Sequence, residues 1–296
     1  MTWSDRATWL NNLVTNVIRT LEPGQGNYAF ALNVKGRILF DLNMLVLADA
    51  IWLDVDERWR AKALEHLQRY IIMEDVQLAD RSDAFVRVEL IGPSAAEIID
   101  ALGWAGAAGA APLASAPVTL VQRNRPAVRD DLGTVPRFDL WIEREELDAC
   151  VARLLEIGRP AGLMQVGDAA VETVRIEQGV PAPAQDLDEE VLPAETGQIA
   201  RAVCYTKGCY LGQEVVERMR SRNVVAQKLV HLALPGPFEV PITLKKGDLS
   251  AGRVTSACRS PACSAWLGLG YVKAMYATPG TELVSERGEV VTVVGL

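Results

Sequence analysis

The chain has 296 residues, 38 acidic and 30 basic, with a formal charge of −8 and a pI near 5.0. Two domains are the first expectation from that length, and the acidic balance excludes the broad positive field that drives binding to nucleic acid or anionic lipid. The longest uncharged run, Ala101 to Gln122, is mainly Ala, Gly and Pro with few large apolar groups and not the ~20 strongly apolar residues of a membrane span, so it reads as a loop or linker. The opening MTWSDRATWL shows no basic region followed by an apolar stretch, hence no secretory signal is expected. Five cysteines, an odd number at low density, argue against a disulfide framework and for a reducing cytoplasm.

In chain order, Ser4 is a candidate N-cap for an amphipathic helix presenting Trp9, Leu10, Leu13, Val14 and Val17. Tyr28–Val34, Arg37–Leu47 and Ile51–Val55 read as strands, with a turn at Lys35-Gly36. A helix is predicted over Asp56–Tyr70, with His66 off its apolar stripe and therefore solvated. Phe85–Ile91 alternates as a strand, and Pro93 opens a short helix through Leu102. Strands follow at Val118–Gln122 and Phe138–Ile142, then a helix at Glu143–Ile157 closed by Gly158. Asp168–Glu177 is helix-like, an acidic loop carries Asp186, Asp188, Glu189, Glu190 and Glu195, and a compact helix spans Gly212–Met219. From about Asn223 onward, short strands and turns suggest a small β-barrel. The class is α+β, ending in an all-β module.

The sharpest local feature is Lys207-Gly208-Cys209-Tyr210-Leu211-Gly212-Gln213-Glu214. Two glycines flank a thiol just before a helix start, so backbone amides there can point at a ligand or at the sulfur, and Lys207 with the helix terminus would favour the thiolate. The alternative is a buried small Cys in a tight turn, with Glu214 and Arg218 as an ordinary i,i+4 pair. Cys204/Cys209 and Cys258/Cys263 form two C-x4-C pairs, but the gaps are long for structural zinc and no metal site is assigned. Two histidines without a nucleophile-and-acid pattern argue against a Ser/His/Asp enzyme, and no phosphate-binding glycine motif occurs. Glu177, beside Gly179, is either a solvated helix-end residue or a carboxylate able to accept two parallel hydrogen bonds from an amidine-like edge. Asp41, between Phe40 and Leu42 in an apolar strand, either faces water or is buried with a purpose.

KGCYLGQE followed by Val215-Val216-Glu217-Arg218 resembles the signature of the YgfZ family of folate-binding proteins, relatives of the glycine-cleavage aminomethyltransferase (T-protein). Asn33-Val-Lys-Gly-Arg-Ile-Leu-Phe-Asp41-Leu is similar to the family's N-terminal hairpin. Arg175-Ile-Glu-Gln-Gly179, Asp186–Pro193 and Glu195-Thr-Gly197 follow the T-protein order of helix, acidic loop and glycine turn. Gly252–Ser256 and Leu269–Lys273 resemble the C-terminal barrel. The chain departs from the pattern in three places: a short lead into the first helix, Val135-Pro-Arg-Phe138 in place of a glycine-tyrosine stretch, and loosely matching wording over Arg220–Val225.

The resemblance implies an aminomethyltransferase-like ring of three domains around a central folate hole: 1–110 and 111–220 as interleaved, pseudo-symmetric α+β domains, and 221–296 as the barrel. It implies that Glu177 grips the pterin edge and that Asp41 lies beside the folate. Cys209 would be the working thiol with Lys207 as its activator, and Gly208, Tyr210, Gly212, Gln213, Glu214 and Arg218 would complete the ligand-binding signature. The implied function is a cytoplasmic tetrahydrofolate-binding accessory protein for iron–sulfur cluster assembly or repair. Its partners would be iron–sulfur or cluster-assembly proteins, among them radical-SAM enzymes that modify tRNA, with no direct nucleic-acid contact and no membrane. The alternative is a tetrahydrofolate-dependent aminomethyltransferase or demethylase.

Overall fold

The computed structural model describes residues 1–130, 133–222 and 225–295. Asn223 and Val224, within the stretch that departs from the expected signature wording, lie outside the described residues.

The first sheet is an antiparallel meander of β1 (Gly26–Leu32), β2 (Ile38–Val46) and β3 (Ile51–Asp54). Strand alternation gives it two unlike faces. Phe40 lies edge-on to His66 of α2 (Arg60–Arg69), with ring centroids 5.7 Å apart, and Ala63 and Leu67 share that core. His66 is therefore buried, not solvated as its place off the apolar stripe suggests, and burial lowers its pKa. The other face carries Tyr28, Asp41, Asn43, Trp52 and Asp54, since Tyr28 pairs with Asn43 and Asn43 with Asp54.

The second sheet has the order β4 (Phe85–Ile91), β7 (Arg137–Glu143), β6 (Arg123–Arg129), β5 (Ser115–Leu120). Phe138, Leu140 and Ile142 of β7 enter one core with α3 (Ala95–Ala101) and α4 (Leu147–Gly158). Arg137, Asp139 and Trp141 occupy the opposite face, which looks toward the first sheet: Trp52 meets Phe85 at 5.2 Å and Trp141 at 6.0 Å between ring centroids. A cut near residue 110 falls between α3 and β5 of this one core, so the second unit spans the second sheet and its two helices. The first core instead draws in Ile176, Leu187, Val191, Ala202 and Val216 from much later in the chain.

Two expected element ends move. The first helix, α1, covers only Arg6–Asn11, because Val14 bridges Ala31 and Thr15 donates its N–H to the Phe30 carbonyl, carrying the chain into the sheet. The helix expected to close at Gly158 runs into a short 3₁₀ turn, and Gly162, at φ +83°, supplies the left-handed stop.

Beyond α5 (Asp168–Glu177), α6 (Ile199–Ala202) and α7 (Gln213–Arg222) lies a closed six-stranded barrel. It is built from β8 (Gln227–Leu234), β9 (Ile242–Lys246), β10 (Leu249–Ser260), β11 (Ala265–Lys273), β12 (Glu282–Ser285) and β13 (Val290–Gly295). The barrel interior is apolar, with Leu232, Leu244, Val254, Leu283 and Val291 fully or almost fully buried. Its outer wall joins the first core through Leu229, Leu269 and Tyr271.

The acidic loop is the clasp of this junction. Asp186, wholly buried, accepts from Arg175 Nη1 at 2.8 Å, the Ala182 N–H at 2.8 Å, Ser256 Oγ at 2.7 Å and the Thr255 hydroxyl. Asp188 and Glu190 both hold Arg253 of β10, at 2.9 and 2.8 Å, and Glu189 reaches Lys62 of α2 at 2.8 Å. The acidic loop of the sequence thus links α5, the barrel and α2.

Candidate functional site

Asp41 sits on the inward face of β2 and is buried. Tyr28 donates its hydroxyl to Asp41 Oδ2 at 2.8 Å, and the Arg201 guanidinium lies 3.5 Å from the centre of the Tyr28 ring. Burial pushes the Asp41 pKa up to about 6, against the opposing pull of the Tyr28 hydrogen bond and Arg201. The carboxylate thus belongs to the buried, purposeful option, not the water-facing one.

Facing it across the gap is a charged lattice that strand alternation alone did not flag as a site. Arg87 of β4 binds Asp54 of β3 at 2.9 Å and Glu89 at 3.0 Å, tying the two sheets together. Arg137 binds Glu89 and Asp130, both at 2.8 Å. Asp139 is buried between these arginines, and burial lifts its pKa well above the ordinary carboxylate range despite Arg87 and Arg137. Asp139 Oδ1 and Trp141 Nε1 are buried without a hydrogen-bond partner. Asp139 Oδ1 has Arg137 Nε at 3.8 Å as an ion-pair partner, so the Trp141 indole N–H is the group on this face that a polar ligand would satisfy. The available signal was Arg137, Asp139 and Trp141 alternating with Phe138, Leu140 and Ile142, a polar face on a strand that is buried on both sides.

An acid with a raised folded-state pKa keeps its proton longer in the fold than in the unfolded chain. The fold is therefore favoured at low pH, and that advantage is lost as pH rises from about 4 through about 6. At 1.36 kcal/mol per unit, Asp41 accounts for about 3 kcal/mol of this decline. Asp41→Asn should flatten the stability profile over that window in urea unfolding at a series of pH values. An unchanged slope in the variant would remove Asp41 as its source.

Glu177 ends α5 and points to the barrel. Its Oε1 accepts from Ser260 Oγ at 2.5 Å and from the Ala262 N–H at 3.3 Å, and Ser260 Oγ in turn accepts from the Cys263 N–H at 3.2 Å. The hairpin between β10 and β11 therefore fixes one oxygen of this carboxylate. Neighbouring residues Val171, Val174 and Arg175 of α5, with Gln178 just past its end, line a recess with Ile91, Val135 and Arg137 of the second unit, about 310 Å³ of space open to solvent.

The signature loop lies elsewhere on the first unit. Lys207 is half-buried and donates to the carbonyls of Asn11, Val14 and Asn16 at 2.6, 2.6 and 2.7 Å. Burial lowers its pKa to about 8. It therefore staples the signature to the chain just after α1, and the thiol whose pKa responds to its ammonium is Cys204. Cys209 is a free, exposed thiol four residues ahead of the first residue of α7. Tyr210 is buried, its ring 5.2 Å from Lys207 Nζ. Gly212, at φ +82°, approaches Asn33 so closely that a Cβ would stand 2.7 Å from its carbonyl oxygen. Any side chain there would push the signature off the β1–β2 hairpin. Gly208, Glu214 and Arg218 are exposed, Gln213 starts α7, and the ion pair of that helix is Glu217–Arg220 at 3.4 Å, not the Glu214–Arg218 pair expected from spacing. Among the described residues, Asp41, Glu177 and Cys209 share no hydrogen bond with one another. They occupy the inter-sheet face, the barrel seam and the loop before α7, with Arg201 of α6 linking the approach to the signature with Tyr28 and so with Asp41.

Residues 2–207 match the model of the GCVT N-terminal domain, and residues 227–294 match that of the glycine cleavage T-protein C-terminal barrel domain. The chain belongs to the GCVT family. Among curated relatives, an aminomethyltransferase of Lysinibacillus sphaericus is 26% identical over 99% of this chain and 81% of its own length. One from Streptomyces coelicolor is 28% identical over 95% and 77%. A putative chloroplastic transferase of Arabidopsis thaliana is 27% identical over 93% of this chain, which spans 63% of that protein. The crystal structure of the glycine cleavage system aminomethyltransferase T from Bartonella henselae superposes with a TM-score of 0.86. It covers 100% of this chain and 81% of its own at 20% identity, so the GCVT-type fold with its terminal barrel is shared. Among the described residues, no helix is long and apolar enough to cross a membrane.

Proposed function

We propose that this protein binds tetrahydrofolate and serves, in a reducing cytoplasm, as an accessory factor for the assembly or repair of iron–sulfur clusters in client enzymes, radical-SAM enzymes that modify tRNA among them. The observation that carries the reading is Cys209: a free, exposed thiol in KGCYLGQE, held at the surface by a loop whose neighbours Lys207, Tyr210 and Gly212 anchor it to the first unit. Such a thiol is placed to meet a protein partner, and the net charge of −8 suits a protein client better than the tRNA itself.

Folate binding draws support from family membership and from the chemistry of the residues present. Glu177, with one oxygen fixed by Ser260, offers a carboxylate edge for a 2-amino-pyrimidinone. Asp41, Trp141 and Asp139 offer an acid, a donor and an acceptor on the buried inter-sheet face. Bound reduced folate would supply one-carbon carrying chemistry; this chain's residues would orient it and keep water from it. Cys209→Ala should abolish support of a client iron–sulfur enzyme in a reconstitution assay while leaving the unfolding profile unchanged. Full support by the variant would sink the thiol's role.

A second reading, a tetrahydrofolate-dependent aminomethyltransferase or demethylase, is favoured by Asp41, whose pKa near 6 and contact with Tyr28 suit proton exchange with an amine. The names of the curated relatives point the same way. Formation of methylene-tetrahydrofolate from an amine donor would establish it over the first.

A further inference from the structure

We propose that His231 of the barrel is a positioning residue for Glu177: it pins the peptide group that carries this carboxylate, and so sets where its free oxygen meets a ligand. The inference rests on the reading of Glu177 as a folate-gripping carboxylate and adds a residue to that site.

Strand alternation puts Val230, Leu232 and Leu234 of β8 in the barrel interior and Leu229 and His231 on the outer wall, the side that meets the first core. His231 is half-buried there, and its Nε2 lies 2.7 Å from the Ile176 carbonyl oxygen. A carbonyl only accepts, so the ring proton sits on Nε2 and the imidazole donates. Protonation of Nδ1 leaves that N–H in place, so the contact holds in either charge state of the ring. Ile176 lies in the last turn of α5, where the final four carbonyls have no partner within the helix. Its oxygen takes one N–H from Gly179 at 3.0 Å, whose φ of +69° turns the chain out of the helix, and the other from His231. Among the described residues, this is the one hydrogen bond from the barrel to the backbone of α5.

The pinned carbonyl belongs to the peptide group that joins Ile176 to Glu177. That group is planar, so holding its oxygen also fixes the nitrogen and Cα of Glu177. The Ile176 side chain, wholly buried in the first core, secures the other end. From its Cα, Glu177 reaches the turn between β10 and β11, where Oε1 accepts from Ser260 Oγ and the Ala262 N–H. Oε2 is left without a hydrogen bond among the described residues. Both anchors come from one wall of the closed barrel: His231 pairs across β8 and β11 with Leu269, and Leu269 pairs with Ser256 of β10. Water or the helix's own last turn would satisfy the Ile176 carbonyl. Clamping it from the body that also holds the Glu177 carboxylate preorganises that side chain and lowers the ordering cost of binding.

The test compares His231→Asn with His231→Gln. The amide nitrogen of Gln comes near the place of Nε2, that of Asn stops near Nδ1, and both keep a polar side chain on the outer wall. Residue-resolved hydrogen exchange of the ligand-free chain is read at Ala262, whose N–H meets the Glu177 carboxylate. His231→Asn should speed exchange there several-fold, with the amides of β12 and β13 unaltered, and His231→Gln should restore most of the protection. In a Glu177→Ala background, where Ala262 has already lost its acceptor, His231→Asn should change nothing further at Ala262. Calorimetry with tetrahydrofolate should show about fivefold weaker binding by His231→Asn, as for the loss of one orienting hydrogen bond, and affinity near wild type for His231→Gln. Unchanged Ala262 exchange or unchanged affinity in His231→Asn, equal losses in the two variants, or an exchange effect that persists without Glu177 would each overturn the positioning role. Absence of tetrahydrofolate binding by the wild type would instead remove the folate reading, with the exchange result still deciding whether His231 positions Glu177.

Discussion

Asp186→Ala should melt about 10 °C below the wild type. The carboxylate is wholly buried and serves four donors from three parts of the fold: Arg175 of α5, the Ala182 amide, and the hydroxyls of Thr255 and Ser256 on β10. Removing it leaves the Arg175 guanidinium with Glu172, the Val180 carbonyl and Ser256 Oγ and strips an acceptor from each of two buried hydroxyls. Breaking one side of a buried ion pair costs about 3–5 kcal/mol, and each kcal/mol shifts the midpoint of a chain this size by about 2–4 °C. Asp186→Asn, which keeps one acceptor oxygen and the shape, should fall between the two. Calorimetry decides it: equal midpoints for wild type and Asp186→Ala would mean the clasp contributes nothing.

Glu177→Ala should weaken binding of reduced folate by roughly 30-fold to several-thousand-fold, the equivalent of about 2–5 kcal/mol for removing one member of a charged, desolvated hydrogen-bonded pair. The Ser260 contact refines this. Ser260→Ala leaves the charge and removes one orienting hydrogen bond, so a loss of about 1 kcal/mol, near fivefold, is expected. Titration calorimetry under anaerobic, reducing conditions measures both. Wild-type affinity retained by Glu177→Ala would take the pterin away from the end of α5, whereas no binding by the wild type would remove the folate reading altogether.

Elements set by local periodicity were open to reading. Phe85–Ile91 and Asp168–Glu177 have the same limits in sequence and structure, because alternation and a helical repeat each act over neighbours. β6 was not legible: no element was expected over Arg123–Arg129, with its three arginines and Pro126, yet Arg125 is buried and held by Glu143, Glu146 and the Leu120 carbonyl. His66 looked solvated because its burial comes from Phe40, on a strand more than twenty residues earlier. The site shows the same division. KGCYLGQE stands out in the sequence, but the carbonyls that hold the Lys207 ammonium lie almost two hundred residues away, which no local reading of the octapeptide shows. The Arg87–Asp54 bridge and the buried Asp139 arise only when two sheets face each other, which no single strand encodes.

The junctions between the two sheets and the barrel are unequal, and that inequality determines where the molecule can breathe. The barrel is riveted to α5 by a carboxylate no solvent reaches, with Arg253 pinned twice beside it. The two sheets are joined by Trp52 against Phe85 and Trp141 and by Arg87, whose side chain remains about a third exposed at 36%. Barrel, acidic loop and α5 should therefore travel as one rigid body, and opening should occur where Arg87 meets Asp54, at a joint that salt loosens. Hydrogen exchange should register this as earlier labelling of β3 and β4 than of β10, with the difference growing as ionic strength rises. A gate hinged there would expose Asp41 to solvent while leaving Glu177 in its fixed frame.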